Sequence, residues 1–165
     1  MSPTAYQSAA GRTLPDLRSL HASLDAASTT DPRTLPLLMA AVGLTGECAE
    51  WAIGGHDPSE AGDVLWYAAA ICTALGIDMA DVLVDTAEPL RTGANEGILT
   101  VACIIVEQAK KAAFHGKEIN ENMIGACLVG VLATLRTVHG DLGPIMAANV
   151  AKLQARWPDG FRVQG

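Results

Sequence analysis

The chain has 165 residues, half of them hydrophobic and only 18% charged, with a net charge of −7. That is enough apolar side chain for one compact core or two small repeats. The acidic balance excludes a nonspecific nucleic-acid or anionic-membrane surface. It does not exclude a nucleotide, because a bound metal inverts the local field. Cys48, Cys72, Cys103 and Cys127 form no CxxC pair and lie in apolar helical runs. They read as buried reduced thiols rather than a zinc site. There is no signal peptide and no uninterrupted apolar 20-mer, which predicts a cytoplasmic protein without a membrane partner. Few charges, few aromatics and abundant Gly and Ala suit close-packed helices with apolar surface left over, most simply for a homodimer.

In chain order, residues 1–14 are polar and weakly patterned, and a first helix is predicted over about Pro15 to Ala27. Thr29, Thr30, Asp31 and Pro32 form a break that can start a second helix, from about Thr34 to Ile53. Gly54, Gly55, His56, Asp57 and Pro58 end that helix, and Pro58 or Ser59 opens a third, reaching Leu75. Gly76 stops it, and Asp78 caps a fourth that continues to about Leu90. After Thr92, Gly93, Ala94 and Asn95, helices are predicted over about Glu96 to Phe114, Asn120 to Val138 and Leu142 to Trp157, with an irregular tail. Apolar residues recur at i, i+3 and i+4 and nowhere alternate, so the fold class is all-α.

A faint internal repeat aligns LWYAAAICTALGIDMADVLVDTAEPL with LVGVLATLRTVHGDLGPIMAANVAKL. Gly62 meets Gly125, Leu65 meets Leu128, Asp78 meets Asp141 and Leu90 meets Leu153, and upstream Gly43 can be set against Gly97. This predicts a tandem-duplicated bundle with halves at 1–92 and 93–165.

The halves differ in their charged residues. The first carries Glu47/Glu50 and Glu60/Asp63, two i,i+3 pairs that each place two carboxylates on one helix face. The second has Val101, Ile104, Met123 and Ala126 there. Apolar surroundings do not accept four uncompensated carboxylates. If the two helices pack face to face, a hard divalent cation is the natural compensator: Mg2+, with Mn2+ as a substitute. The competing reading is a solvated acidic patch at helix ends, where Glu60 and Asp63 would stabilise a helix start anyway. The second half supplies Lys110, Lys111, His115 and Lys117, then Asn149, Lys152 and Arg156. Lys152 and Arg156 suit β and γ phosphates, and Asn149 a phosphate or sugar. Lys110 and Lys111 fit equally well as a solvated helix terminus. Trp51, Trp66, Tyr67 and Trp157 are candidate base platforms, although aromatics near helical seams are more often core. Metal in one half and cations in the other predict one composite site per chain.

These elements resemble the MazG-like, all-α nucleoside triphosphate pyrophosphohydrolase superfamily. The opening ALGLxGExGE reads AVGLTGECAEW here, ELGDVLWYLA reads EAGDVLWYAAA, and NxxKLxxRYPxGF reads NVAKLQARWPDGF from Asn149 to Phe161. KKAAFHGK, from Lys110 to Lys117, matches KKxxxHGK, and YQSAAGRT approaches YQxxAxRT. The resemblance covers most of the chain from Ala40 onward. It implies metal on Glu47, Glu50, Glu60 and Asp63, and nucleotide contacts from Asn149, Lys152 and Arg156. The order departs from the family's, since KKxxxHGK normally stands between the two acidic elements. The chain therefore resembles two fused, complementary copies of the family domain.

The implied activity is Mg-dependent hydrolysis of a nucleoside triphosphate to monophosphate and pyrophosphate, for nucleotide-pool sanitation. The alternatives are a dUTP- or dCTP-specific diphosphatase and a non-catalytic nucleotide-binding helical module.

Overall fold

The computed structural model describes residues 17–84 and 94–158, together with Gln7. Among these residues the chain forms seven helices and no strand. They are α1 (Leu17–Thr30), α2 (Thr34–Ile53), α3 (Pro58–Leu75), α4 (Met79–Val84), α5 (Ala94–His115), α6 (Glu121–His139) and α7 (Gly143–Arg156). The all-α expectation is therefore met. The expected extension of α4 to Leu90, the irregular N-terminal residues and tail, and the boundary between halves at residues 92 and 93 lie outside the described residues.

Local chemistry sets the helix ends. Asp31 accepts from the Arg33 amide at 3.0 Å, so α1 runs on to Thr30 and the chain turns only at Asp31 and Pro32. Asp57 caps α3 by accepting from Ser59 N at 2.7 Å, with Pro58 in the first turn. Gly76 ends α3 in the left-handed region at φ 68°, and Ile77 N reaches back to the Cys72 carbonyl. Asp78 and Asn120 cap α4 and α6 in the same manner, and Asp141 accepts from the amide of Gly143 at the start of α7.

The helices pair in a regular pattern. α2 packs on α3 and α5, and α5 packs on α6. α7 returns to lie on α3, and α4 lies on α6. α4 thus packs on a helix of the later part of the chain and α7 on a helix of the earlier part. The core is built from Leu37, Leu44 and Trp51 of α2, Val64, Leu65 and Ile71 of α3, Ile98 and Ile105 of α5, and Ile124, Leu128, Leu132 and Leu135 of α6. Alanines at 40, 41, 102, 109, 112 and 113 are buried too, which lets α2 and α5 approach closely. α6 is long and apolar enough, by length and composition alone, to cross a bilayer; half of it is buried inside the bundle.

One expectation about the thiols is corrected. Cys48, Cys72 and Cys127 are buried, but Cys103 is exposed. The buried stripe of α5 runs through Ile98, Ala102, Ile105 and Ala109, and Cys103 stands one residue off it.

The α2–α3 hairpin is tightly packed at Gly43, where a Cβ would lie only 2.1 Å from Cε1 of the Tyr67 ring. Gly43 lies one turn before Glu47, and Tyr67 one turn after Asp63, so this contact brings the two acidic faces together. Gly43→Ala is expected to lower stability by about 1–3 kcal/mol through overpacking. Gly46→Ala, where a Cβ meets open space, is expected to raise it by roughly 0.5–1 kcal/mol. Urea unfolding of the two variants checks the contrast.

Candidate metal centre

Glu47 on α2 and Glu60 and Asp63 on α3 each offer a carboxylate oxygen, and these three atoms lie within 4.8 Å of one another. All three residues are half-buried. The i,i+3 spacing of Glu60 and Asp63 puts both on the face of α3 that meets α2. Glu50, the fourth acidic candidate, is exposed and stands outside the trio. It still acts on Glu47 electrostatically. Burial, followed by the charges of Asp63, Glu50 and Glu60, raises the pKa of Glu47 above the ordinary glutamate value, and Lys152 opposes the rise. Cys48 beside it is pushed up to about 12, mainly by burial and then by Glu47, so it is an inert thiol.

α7 completes the group from the far end of the chain. Asn149 is 7% exposed, and its Nδ2 donates to Asp63 Oδ1 at 2.8 Å. Lys152 Nζ donates to both Asp63 oxygens at 2.7 Å. The i,i+3 spacing of Asn149 and Lys152 aims both at one carboxylate. A second glycine makes this approach possible. A Cβ on Gly62 would lie 3.0 Å from Asn149 Cβ and Nδ2. Gly43 and Gly62 thus set the distances from α3 to α2 and to α7. Both stood in the repeat alignment as anchors, and their packing role was the signal that the spacing of charged residues did not carry.

The other candidates stand elsewhere. Arg156 lies 4.5 Å from the ring of Trp157, a cation–π contact at the end of α7. Lys110 and Lys111 pair with Glu107 at 2.5 Å and 3.7 Å. They belong to the end of α5 that lies beside the start of α2. A cleft of about 610 Å3 opens there, lined by Thr30, Arg33, Ala113, Phe114, Lys117 and Ile119. None of the acidic candidates borders it. Of the candidate base platforms, Trp51 is fully buried, Tyr67 covers Gly43, and Trp66 is 44% exposed.

No family model matches the chain, and neither a curated protein nor a solved structure matches it.

The donor set consists of hard oxygen atoms on two rigid helices, which suits Mg2+ or Mn2+ rather than a soft metal. At metal–oxygen distances of about 2.1 Å, opposite ligands stand roughly 4.2 Å apart, so oxygens within 4.8 Å need only a small closure. Because the folded-state pKa of Glu47 is raised, ionising it opposes folding, and this loss appears as pH rises through the raised value. Glu47→Gln is therefore expected to increase the melting temperature of the metal-free protein at pH 7.5, with the gain shrinking toward pH 4. The same substitution should remove stabilisation by added Mg2+, while Glu50→Gln retains most of it. Thermal melts with and without Mg2+ read both effects.

Proposed function

We propose that this chain is a MazG-like nucleoside triphosphate pyrophosphohydrolase that uses Mg2+, with Mn2+ as a substitute. The observation that carries the reading is the convergence of Glu47, Glu60 and Asp63 with Asn149 and Lys152 at one point. Two helices of the first half supply the acids, and one helix of the second half supplies the amide and the ammonium. Support for a fused duplication comes from the exchanged packing, in which α7 lies on α3 and α4 on α6. In the second half, Met123 and Ala126 stand at the positions of Glu60 and Asp63. One composite site per chain follows. Exposed Met39, Val42 and Ile53 on α2 favour a homodimer.

In this reading Glu47, Glu60 and Asp63 hold the cation, which supplies phosphate charge neutralisation and lowers the pKa of water. Asn149 holds Asp63 in orientation. Lys152, partly exposed beside Asp63, offers its ammonium to the phosphate oxygens of the leaving group. Glu50, exposed and outside the trio, is in this reading the carboxylate that takes the proton of the attacking water. Water oxygen bonds to the α phosphorus, the bond from that phosphorus to the α–β bridging oxygen breaks, and pyrophosphate carries away the electron pair.

A second reading draws on the Lys152–Asp63 pair. Its ammonium meets both carboxylate oxygens, so Asp63 is compensated without a cation, as a non-catalytic nucleotide-binding module would allow. Pyrophosphate release from a panel of canonical and modified NTPs and dNTPs separates the two. Wild type is expected to release pyrophosphate only with Mg2+ or Mn2+, and Asp63→Asn to lose at least about 100-fold, the upper end of effects at residues that merely support metal ligands. Activity confined to dUTP or dCTP would make the enzyme a specialist. Folded protein that releases none from any nucleotide would leave the binding module.

A further inference from the structure

The corner that joins the two carboxylate-bearing helices is held by a residue from neither of them. Trp51, one turn after Glu47, is fully buried, and its indole Nε1 donates to His139 Nε2 at 3.0 Å. His139 is the last residue of α6. His56 lies against the other side of the corner, with its ring centroid 4.3 Å from that of Trp51 and its amide donating to the Trp51 carbonyl at 3.0 Å. His56 also has a φ of 67°, a left-handed conformation that a non-glycine residue keeps only when its surroundings hold it. The next residue, Asp57, caps α3, and Glu60 and Asp63 follow within two turns. The Trp51–His139 bond thus fixes the chain between Glu47 and the α3 carboxylates.

An indole N–H only donates, so His139 Nε2 must keep its lone pair. Protonation turns that nitrogen into a donor, sets two N–H groups against each other and places a charge beside a buried ring. Burial, then the charge of His56, hold the pKa of His139 below the ordinary imidazole value, and Asp57 acts in the opposite sense. On α6 the preceding charge is Arg136, which donates to the Leu83 carbonyl at 3.5 Å; Asp141, two residues on, accepts from the Gly143 amide. On α2, Glu50 is exposed. Between Gly97 and Val106, α5 carries Cys103 as its single titratable residue; α4 carries the exposed Asp81, and α3 carries the half-buried Glu60, Asp63 and Tyr67 and the buried Cys72.

We propose that His139 is a positioning residue for the acidic corner: neutral, it holds Trp51 and the α2–α3 turn in place, and protonated, it releases them and loosens the spacing of Glu47 from Glu60 and Asp63. The clamp stands on its own geometry, and its effect on cation binding rests on the reading of the three carboxylates as a metal centre. With the folded-state pKa depressed, the contribution is fully present above the unfolded imidazole value of about 6.5 and is lost as pH falls through the folded one.

The test compares wild type with His139→Gln, whose amide oxygen can accept the indole proton at any pH. Urea unfolding is measured from pH 5 to 8, and Mn2+ affinity by the resonance of the free ion. Below about pH 6.5 the unfolding constant of wild type is expected to rise by up to roughly tenfold per pH unit more than that of His139→Gln, the limit for one proton. The ratio of the two Mn2+ affinities should fall over the same range. In wild type alone, the Trp51 indole N–H resonance should titrate with the same midpoint, a readout that needs no variant to fold. Parallel unfolding profiles and an indole resonance that does not titrate would overturn the clamp. A pH-dependent stability difference with a constant affinity ratio would overturn the positioning role. If neither protein binds Mn2+ while the stability difference persists, the clamp stands and the metal reading falls.

Discussion

The repulsion among three carboxylates held half-buried between two helices is the constraint on which the site depends. Unit charges 4.8 Å apart repel by roughly 3 kcal/mol at an effective dielectric constant near 20, about three times what a helix cap contributes. Packing of the hairpin forces this proximity, since Gly43 admits the Tyr67 ring one turn from the acids. The protein meets the strain in two ways. Glu47 holds its proton more tightly than an ordinary glutamate, and Lys152 reaches from α7 to place a positive charge on Asp63. Both responses are what a bound divalent cation would replace.

The same constraint gives the chain's length a purpose. α2 and α3 supply the acids, but the compensating amide and ammonium come from α7, beyond two further long helices. α5 and α6 contribute little chemistry to the group and much of the apolar core that lets α7 return to α3. The helices α5 to α7, which supply none of the three clustered carboxylates, therefore act as scaffold and as donor of the counter-charge.

Much of this was legible in the sequence because helix ends and helix faces are local. The limits of α2 and α3 follow from Asp57-Pro58 at one end and Gly76 at the other, and i,i+3 spacing assigns Glu60 with Asp63 and Asn149 with Lys152 to shared faces. Glu50 was less legible. Its spacing from Glu47 matches that of the α3 pair, yet it is exposed and falls outside the group, nearer the α2–α3 turn than Glu47. Lys110 and Lys111 show the opposite case: their charge suits a phosphate, but tertiary packing puts them at the far end of α5 with Glu107 as partner. Periodicity assigns a face and not a height along a neighbouring helix, and the height depends on close contacts such as Gly43 with Tyr67 and Gly62 with Asn149. The Trp51–His139 bond joins residues 88 apart, with no local pattern to announce it.

The central claim is that the acidic corner is a cation site completed by α7. Anomalous scattering from crystals grown with Mn2+ tests it most directly. The account predicts a single strong peak within bonding distance of oxygens from Glu47, Glu60 and Asp63, with Lys152 Nζ no longer bridging both oxygens of Asp63. Absence of a peak there at saturating Mn2+, with the Lys152–Asp63 pair intact, would contradict it.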